Sequence, residues 1–163
     1  DLTSCEASGS DFGGSRVEGC NFTKAVLAGA KFAGARAGSA RFRGVDLSGV
    51  SFAGASLGSA KFGEAKLQGA DFSGADLREA ELIAVDAKGA RFRKCRLEYA
   101  DFSRASLQSA DFGGAVLHWA ILHRSDVERA EWKDADLRHV RKTDPALLEA
   151  ETWVAGEKPT WNT

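Results

Sequence analysis

Residues 70–79 read ADFSGADLRE, which is two consecutive five-residue units: alanine, a polar residue, Phe or Leu, then two small or polar residues. The unit recurs from Leu2 to Leu137, and all 10 phenylalanines stand at positions whose number ends in 2. A β-strand alternates every two residues and an amphipathic helix repeats about every 3.6, so neither keeps this pattern in register. A fixed short repeat over most of a chain predicts a solenoid.

Charge is excluded from two positions of every unit. We call the Phe or Leu position the centre and the residue two before the next centre the corner. Although 28% of the chain is charged, no centre from Leu2 to Leu137 and no corner from Cys5 to Val140 is Asp, Glu, Lys or Arg. Centres and corners are therefore predicted to face a dry interior, and the other three positions to face water. Glycine one or two residues after a centre indicates a tight turn there.

Units 70–74, 75–79 and 100–104 (ADFSG, ADLRE and ADFSR) resemble the A(D/N)LXX motif of pentapeptide-repeat proteins. The resemblance implies an all-β solenoid, a right-handed quadrilateral β-helix in which four units form one square coil. About seven coils of roughly 20 residues would stack at about the 4.8 Å spacing of β-strands. The repeat region 1–140 is expected to be one domain.

Stacking by coil predicts which centres lie above one another. One face is predicted to stack Phe12, Phe32, Phe52, Phe72, Phe92, Phe112 and Trp132. The opposite face is predicted to stack Leu2, Phe22, Phe42, Phe62, Leu82, Phe102 and Leu122. The other two faces carry aliphatic centres, for example Leu27, Leu47, Leu67 and Leu107 opposite Leu57, Leu77, Leu97 and Leu117. Aromatic thus faces aromatic and aliphatic faces aliphatic, which keeps the interior volume of each coil nearly constant.

The repeat stops at residues 141–163, which are predicted to form a C-terminal capping helix and tail. Thr143 or Asp144 is suited to the N-cap position, and Pro145 is suited to the first helical position. Gly156 is suited to the position just after the helix ends. An open solenoid end exposes strand edges and core side chains, so the helix is predicted to cap the last coil. The alternative is a homodimer contact made by this helix or by an open coil end.

Length and composition fit one rod-like domain, with 163 residues, 44% hydrophobic residues and a net charge of −1. No apolar run reaches the length of about 18 residues that predicts a membrane span. The chain lacks methionine, even at residue 1, so we expect it to be an excised domain or a processed product. We further expect it to belong to a larger bacterial protein, with a cytoplasmic location. Cys5, Cys20 and Cys95 occupy corners, where buried free thiols in place of alanine are expected instead of disulfides.

The residue pattern gives catalysis little support, and we expect neither enzymatic activity nor a cofactor. Polar positions are spread over a convex rod and do not converge in a cleft. His118 and His123 lie on neighbouring faces without an outward cysteine nearby, so they and His139 are interpreted as surface histidines, not as metal ligands.

Outward residues that stack in adjacent coils mostly alternate in charge. Lys61, Glu81 and Asp101 form one predicted column; Asp71, Arg91, Asp111 and Glu131 form another; Asp76 and Arg96 form a pair. Opposite charges at the coil spacing attract, so these columns are predicted to be neutralised ladders.

Some pentapeptide-repeat proteins that this chain resembles protect DNA gyrase from quinolones by presenting a rod of negative charge to its DNA-binding surface. Such a mimic needs continuous acidic stripes. Here 23 acidic residues are balanced by 22 basic ones, and Lys61, Arg91 and Arg96 interrupt the acidic columns. A gyrase-binding mimic and a purely architectural spacer remain alternatives. Direct nucleic-acid binding is not expected, because no basic stripe runs unbroken along one face.

One edge of the C-terminal coils has an unusual composition. Two residues after successive centres it reads Gly19, Ser39, Ser59, Glu79, Tyr99, Trp119 and His139. His118, Ile83 and Ile121 flank these positions, and the neighbouring edge carries Arg104 and Arg124. Tyr, Trp and Arg are enriched at binding hot spots. The favoured hypothesis is therefore a rigid, non-catalytic protein–protein interaction module that binds another protein here; the alternative is that the C-terminal tail covers Trp119.

Overall fold

The structure, a computed structural model, describes residues 1–143, which form a stack of coils joined edge to edge. Parallel β-bridges recur at every fifth residue from Glu6 to Arg141, and each joins residues 20 apart, such as Asp71 and Arg91. Each bridge joins one residue to one other, so the described residues contain no strand longer than a single residue. They also contain no helix, and therefore none that could cross a membrane. The predicted register of four five-residue units per coil is confirmed.

The predicted capping helix, including Pro145 and Gly156, lies outside the described residues. So does all of the predicted C-terminal unit except residues 141–143.

Each five-residue unit uses its backbone groups in the same way, as residues 71–75 illustrate. The N–H of Asp71 donates to a carbonyl of the preceding coil at 3.0 Å, and those of Phe72 and Gly74 donate to carbonyls of the following coil at 2.8 Å. The N–H of Ala75 donates back to the carbonyl of Phe72 at 2.8 Å, which closes a turn. The ladder thus satisfies four of the five backbone donors and leaves one, at the residue after the centre.

In many units an Asp or Asn before the centre satisfies that remaining donor. The N–H of Ser73 donates to Oδ1 of Asp71 at 2.9 Å, and that of Thr23 donates to Oδ1 of Asn21 at 3.1 Å. The same contact is made by Asp1, Asp11, Asp46, Asp76, Asp101, Asp111, Asp126 and Asp136. Asp and Asn favour such turns because a short side-chain acceptor reaches the N–H two residues on. This accounts for Asp and Asn at the second position of the unit.

The second turn residue of every unit, from Ser4 to His139, has a positive φ of 54–70°. A positive φ at only this turn position defines a type II turn, which favours glycine. Twelve of these residues are glycine and sixteen are not. More than half of the turns therefore place a side chain where an L-residue is conformationally disfavoured.

The interior consists of the predicted columns of aromatic and aliphatic side chains. Every phenylalanine from Phe22 to Phe112 has 0% exposure. Within a column, successive phenylalanine rings lie 4.7–5.1 Å apart and nearly parallel. Between the two columns, rings meet edge to face at 5.6–5.9 Å. Both arrangements are favourable for aromatic pairs and worth about 0.5–1.5 kcal/mol beyond burial, so the prediction that aromatic faces aromatic is confirmed.

The three cysteines are free, as expected, but only one is buried. Cys95 has 0% exposure, whereas Cys5 and Cys20 are partly exposed because they lie in the first coil, which has no coil before it within the described residues. The thiol of Cys95 donates a hydrogen bond to the carbonyl of Phe72 at 2.8 Å, and burial raises its pKa to about 12.

The corners are predicted to tolerate no extra volume. Ala100 is fully buried, so Ala100→Leu is expected to destabilise the chain by about 1–3 kcal/mol through overpacking. Ser103→Ala, at an outward position of the same coil, is the control and should change stability by less than about 0.5 kcal/mol. Urea unfolding measures both, and equal tolerance would contradict the inward assignment of the corner.

Thiol reactivity offers a second check. Since the thiolate is the reactive species, the buried Cys95 is expected to resist a thiol reagent at neutral pH while Cys5 and Cys20 react. In denaturant all three should react. Mass spectrometry after a timed reaction identifies the labelled residues, and equal labelling of Cys95 in the native protein would contradict this placement.

Candidate docking surface

Ion pairs between adjacent coils neutralise much of the outer surface. Lys61 pairs with Glu81 at 2.7 Å, as the columns predicted. Asp71–Arg91 and Asp76–Arg96 are likewise confirmed, at 3.2 and 3.7 Å. Exposed pairs of this kind contribute about 0–1 kcal/mol each. Their main consequence is that positive and negative side chains are interspersed over the outer surface.

One predicted pairing differs in detail. Asp111 stands above Arg91 in its column, but its carboxylate contacts Arg93 at 2.8 Å instead. Arg93 is the first turn residue of unit 91–95 in the preceding coil. Its long side chain extends to Asp111 in the next coil. The turn positions, which the column pattern left out, therefore also take part in the ladders.

The aromatic edge, which we define as Tyr99, Trp119 and His139, runs along one vertex of the last three coils. Tyr99 is 59% exposed and Trp119 is 46% exposed. The rings of Trp119 and His139 are stacked, with centroids 4.4 Å apart and planes 12° from parallel. Tyr99 and Trp119 thus expose large aromatic surfaces, and stacking on His139 holds the ring of Trp119 in place.

The backbone beneath the aromatic edge is strained. Tyr99, Trp119 and His139 are second turn residues with φ of 62°, 61° and 60°. Among the ten such positions from Ser4 to Gly49 seven are glycine, whereas among the ten from Lys94 to His139 only one is. The C-terminal coils therefore place side chains on their turns where the N-terminal coils leave glycine.

His118 lies beside the aromatic edge in a cluster with Asp136 and Arg138. Its Nε2 is 2.7 Å from Oδ2 of Asp136 and 2.9 Å from Nη2 of Arg138. This nitrogen donates to Asp136 when it carries a hydrogen and accepts from Arg138 when it does not, so the ring is held in either form. Hydrogen bonds from Arg138, and then from His118, hold the pKa of Asp136 well below its usual range.

The arginine edge, which we define as Arg104 and Arg124, occupies the next vertex. Both side chains are exposed, and the N–H of Arg124 donates to Oγ1 of Thr143 at 2.8 Å. Between the two edges lies a narrow face, which we call the intervening face, with Ile121 half-buried on it and Arg141 one coil beyond. The structure thus brings all seven predicted site residues onto one side of the last three coils.

Sequence reasoning missed three residues of this surface. Asp136 and Arg138 clamp His118, and Arg141 extends the intervening face beyond Ile121. The 20-residue coil already places Arg138 above His118 and Arg141 above Ile121, so the signal was present. The contact of Asp136 depends on side-chain reach between neighbouring columns, which the coil period does not specify.

The C-terminal end of the described stack is a second apolar surface. A cavity of about 410 Å³ is lined by Leu122, Ser125, Val127, Trp132, Leu137, Val140, Lys142 and Thr143. Val127 and Leu137 are 37% and 38% exposed. Within residues 1–143 the N–H groups of Val127, Trp132 and Leu137 have no hydrogen-bond partner, since no further coil follows them there.

Neither surface has the geometry of a metal centre. In the part of the chain that the structure describes, no group of three or more His, Cys, Asp and Glu residues could hold a metal ion.

The repeat belongs to a known family. The family model described as Pentapeptide repeat region matches residues 15–92, and the one described as Pentapeptide repeats (8 copies) matches residues 88–124 and 100–138. The chain is therefore a member of the pentapeptide-repeat family. No curated protein matches it at a significant level.

Solved structures of the same family resemble the chain. A pentapeptide repeat protein from the Arabidopsis thaliana thylakoid lumen shares 30% identity, with a TM-score of 0.61 over 66% of this chain and 74% of that one. Trypsin-treated QnrB1, a plasmid-mediated fluoroquinolone resistance protein, shares 22% identity, with a TM-score of 0.52 over 92% and 82%. HetL, involved in heterocyst differentiation regulation in the cyanobacterium Nostoc, shares 28% identity, with a TM-score of 0.47 over 85% and 72%. The square stack is thus a right-handed quadrilateral β-helix.

The hydrogen bonds that Arg138 and His118 make to Asp136 predict a lowered pKa for this carboxyl group, which can be measured by titration. Because the pKa of Asp136 is lowered in the fold, its carboxylate stabilises the native state above the ordinary Asp pKa of about 3.9, and this contribution is lost only as the pH falls through the lowered pKa. Arg138→Gln should move the pKa of Asp136 up towards its ordinary value. Carboxyl carbon chemical shifts followed against pH report both values, and an unchanged midpoint in the variant would show that Arg138 is not the cause.

Proposed function

We propose that this chain is a rigid, non-catalytic module that binds another protein through the aromatic edge and the intervening face beside it. The observation that carries the proposal is the placement of Tyr99, Trp119 and His139 at left-handed turn positions, exposed and in consecutive coils.

The physical argument is that these residues cost conformational free energy and add no packing to the interior. An L-residue in the left-handed region costs about 1–2 kcal/mol, which glycine avoids. About half of the area of Tyr99 and Trp119 also remains exposed, and that part adds no hydrophobic stabilisation to the fold. Buried in a partner's surface, the same side chains would be among the strongest contributors to affinity.

The rigidity of the rod supports the same role. Stacked phenylalanines and the backbone ladder hold every turn in place, so the rod itself would lose little conformational entropy when a partner docks. The clamp of His118 by Asp136 and Arg138 fixes one flank of the surface in the same way.

The other candidate functions have weaker support. Likeness to QnrB1 at 22% identity concerns the fold alone, and the ion-paired columns interrupt the acidic stripe that a DNA mimic would need. A purely architectural spacer would be expected to keep the Gly and Ser of its N-terminal turns along the whole edge. The apolar cavity at the C-terminal end of the described stack favours a second interface, at which another copy of the chain could stack.

The proposal is tested by returning the edge to glycine. Trp119→Gly combined with Tyr99→Gly relieves the strained φ angles while removing the aromatic contacts, so the melting temperature should change little. Proteins from the source organism that the immobilised wild-type chain retains should be lost from the variant.

Ser59→Gly, in the same column of a coil near the middle of the rod, is the matched control and should retain the same proteins as the wild type. Identical retention by wild type and double variant, measured by quantitative mass spectrometry, would refute docking through the aromatic edge.

A further inference from the structure

Carboxylate pairing of arginines is the rule along this rod. Ion pairs join the following arginines to Asp or Glu: Arg16, Arg36, Arg43, Arg78, Arg91, Arg93, Arg96, Arg129 and Arg138. Within residues 1–143, Arg41, Arg104 and Arg141 have no such pair. All three lie on the intervening face or on the edge beside it, since Arg41 and Arg141 share the face column and Arg104 belongs to the arginine edge.

The two such arginines in the C-terminal half lie beside the docking surface. Arg141 is the bridge partner of Ile121, so its guanidinium stands one coil beyond a half-buried apolar side chain. Arg104 is exposed at a turn with φ of 61°, directly across the intervening face from the aromatic edge. From one vertex to the next, the surface therefore presents aromatic, aliphatic and guanidinium groups in that order.

We propose that the partner presents an acidic segment to this surface, with an apolar side chain against Trp119 and Ile121 and carboxylates on Arg104 and Arg141; this rests on the proposed docking function. Guanidinium groups bind carboxylates through paired hydrogen bonds and are weakly hydrated, so they are suited to interfaces. Most other arginines of residues 1–143 pair with carboxylates of the chain itself, whereas Arg104 and Arg141 have no such pair within those residues and could take one from a partner.

The extent of the surface is set by a carboxylate on the same face. Asp101 lies one coil before Ile121, and its Oδ1 accepts a hydrogen bond from the N–H of Ser103 at 2.8 Å. Its charge would repel an acidic segment that extended further along the rod. The binding region is thus confined to the last coils, a length suited to a short peptide segment.

The same carboxylates argue against a nucleic acid as the partner. A phosphate backbone needs a basic track many residues long. In the column of the intervening face, Glu81 and Asp101 separate Lys61 from Ile121 and Arg141, which breaks such a track.

A peptide-display experiment identifies the chemistry without knowledge of the natural partner. A library of random short peptides is selected for binding to the full-length chain and counter-selected against the Trp119→Gly, Tyr99→Gly variant. Enriched peptides are expected to carry net negative charge and at least one large apolar residue. Their affinity, measured by fluorescence anisotropy, should fall about tenfold or more in Arg104→Glu with Arg141→Glu and should weaken at high salt.

Lys94→Glu is the matched control, because it reverses an exposed charge at a turn of the same kind (φ of 54°) on another edge, and it should bind the peptides like the wild type. Enriched peptides that are neutral or basic, or that ignore the arginine substitutions, would overturn the acidic partner while leaving the aromatic edge as a docking site. If no peptide depended on Trp119, the docking function itself would fail. A single-stranded oligonucleotide that bound more tightly than the peptides, and lost binding in the arginine variant, would assign the surface to nucleic acid and overturn the proposal.

Discussion

The whole molecule depends on the parallel backbone ladder that joins residues 20 apart. Units of the inner coils donate to both neighbouring coils, so an inserted or deleted residue would displace every later contact and turn interior side chains outward. The coils must therefore be equal in length, and facing centres must together fill a nearly constant cross-section. Where Leu82 replaces phenylalanine in one column, the opposite column is unchanged: Phe72 and Phe92 remain stacked at 5.1 Å, and both are fully buried.

The ladder also explains why the sequence reveals so much of the fold. Exclusion of charge from centres and corners, and the repeat of phenylalanine, are consequences of stacking identical coils, so they predicted the register, the columns and the ion pairs of Asp71 and Asp76. The turn chemistry could be foreseen only in part. Glycine indicated tight turns, but the requirement for positive φ at Trp119 or Tyr99 is invisible where the residue is not glycine, because the ladder imposes that conformation against the residue's own preference.

The candidate surface was less predictable, for physical reasons. The coil period fixes which outward positions are neighbours, and it placed Tyr99, Trp119 and His139 on one edge. It does not fix how far a long side chain reaches. Arg93 therefore crosses to Asp111, and Asp136 reaches His118 from the adjacent column, through contacts that depend on rotamers. Which arginines pair with a carboxylate is likewise decided by reach. The coil period places Arg104 and Arg141 on this surface, but it does not show that they have no carboxylate partner within residues 1–143.

Within each five-residue unit, the positions that build the fold consequently differ from the position that is free to present a side chain to a partner. Centre and corner build the interior, an Asp or Asn before the centre, where present, accepts the remaining turn N–H, and the second turn residue contributes nothing to the core. That last position is free to vary at a modest conformational cost, and the chain uses this freedom unevenly, with glycine prevailing early and side chains late. A surface assembled from such positions gains or loses a function without disturbing the ladder. This is why substitutions to glycine at Tyr99 and Trp119 would separate the proposed binding role of these residues from the stability of the rod.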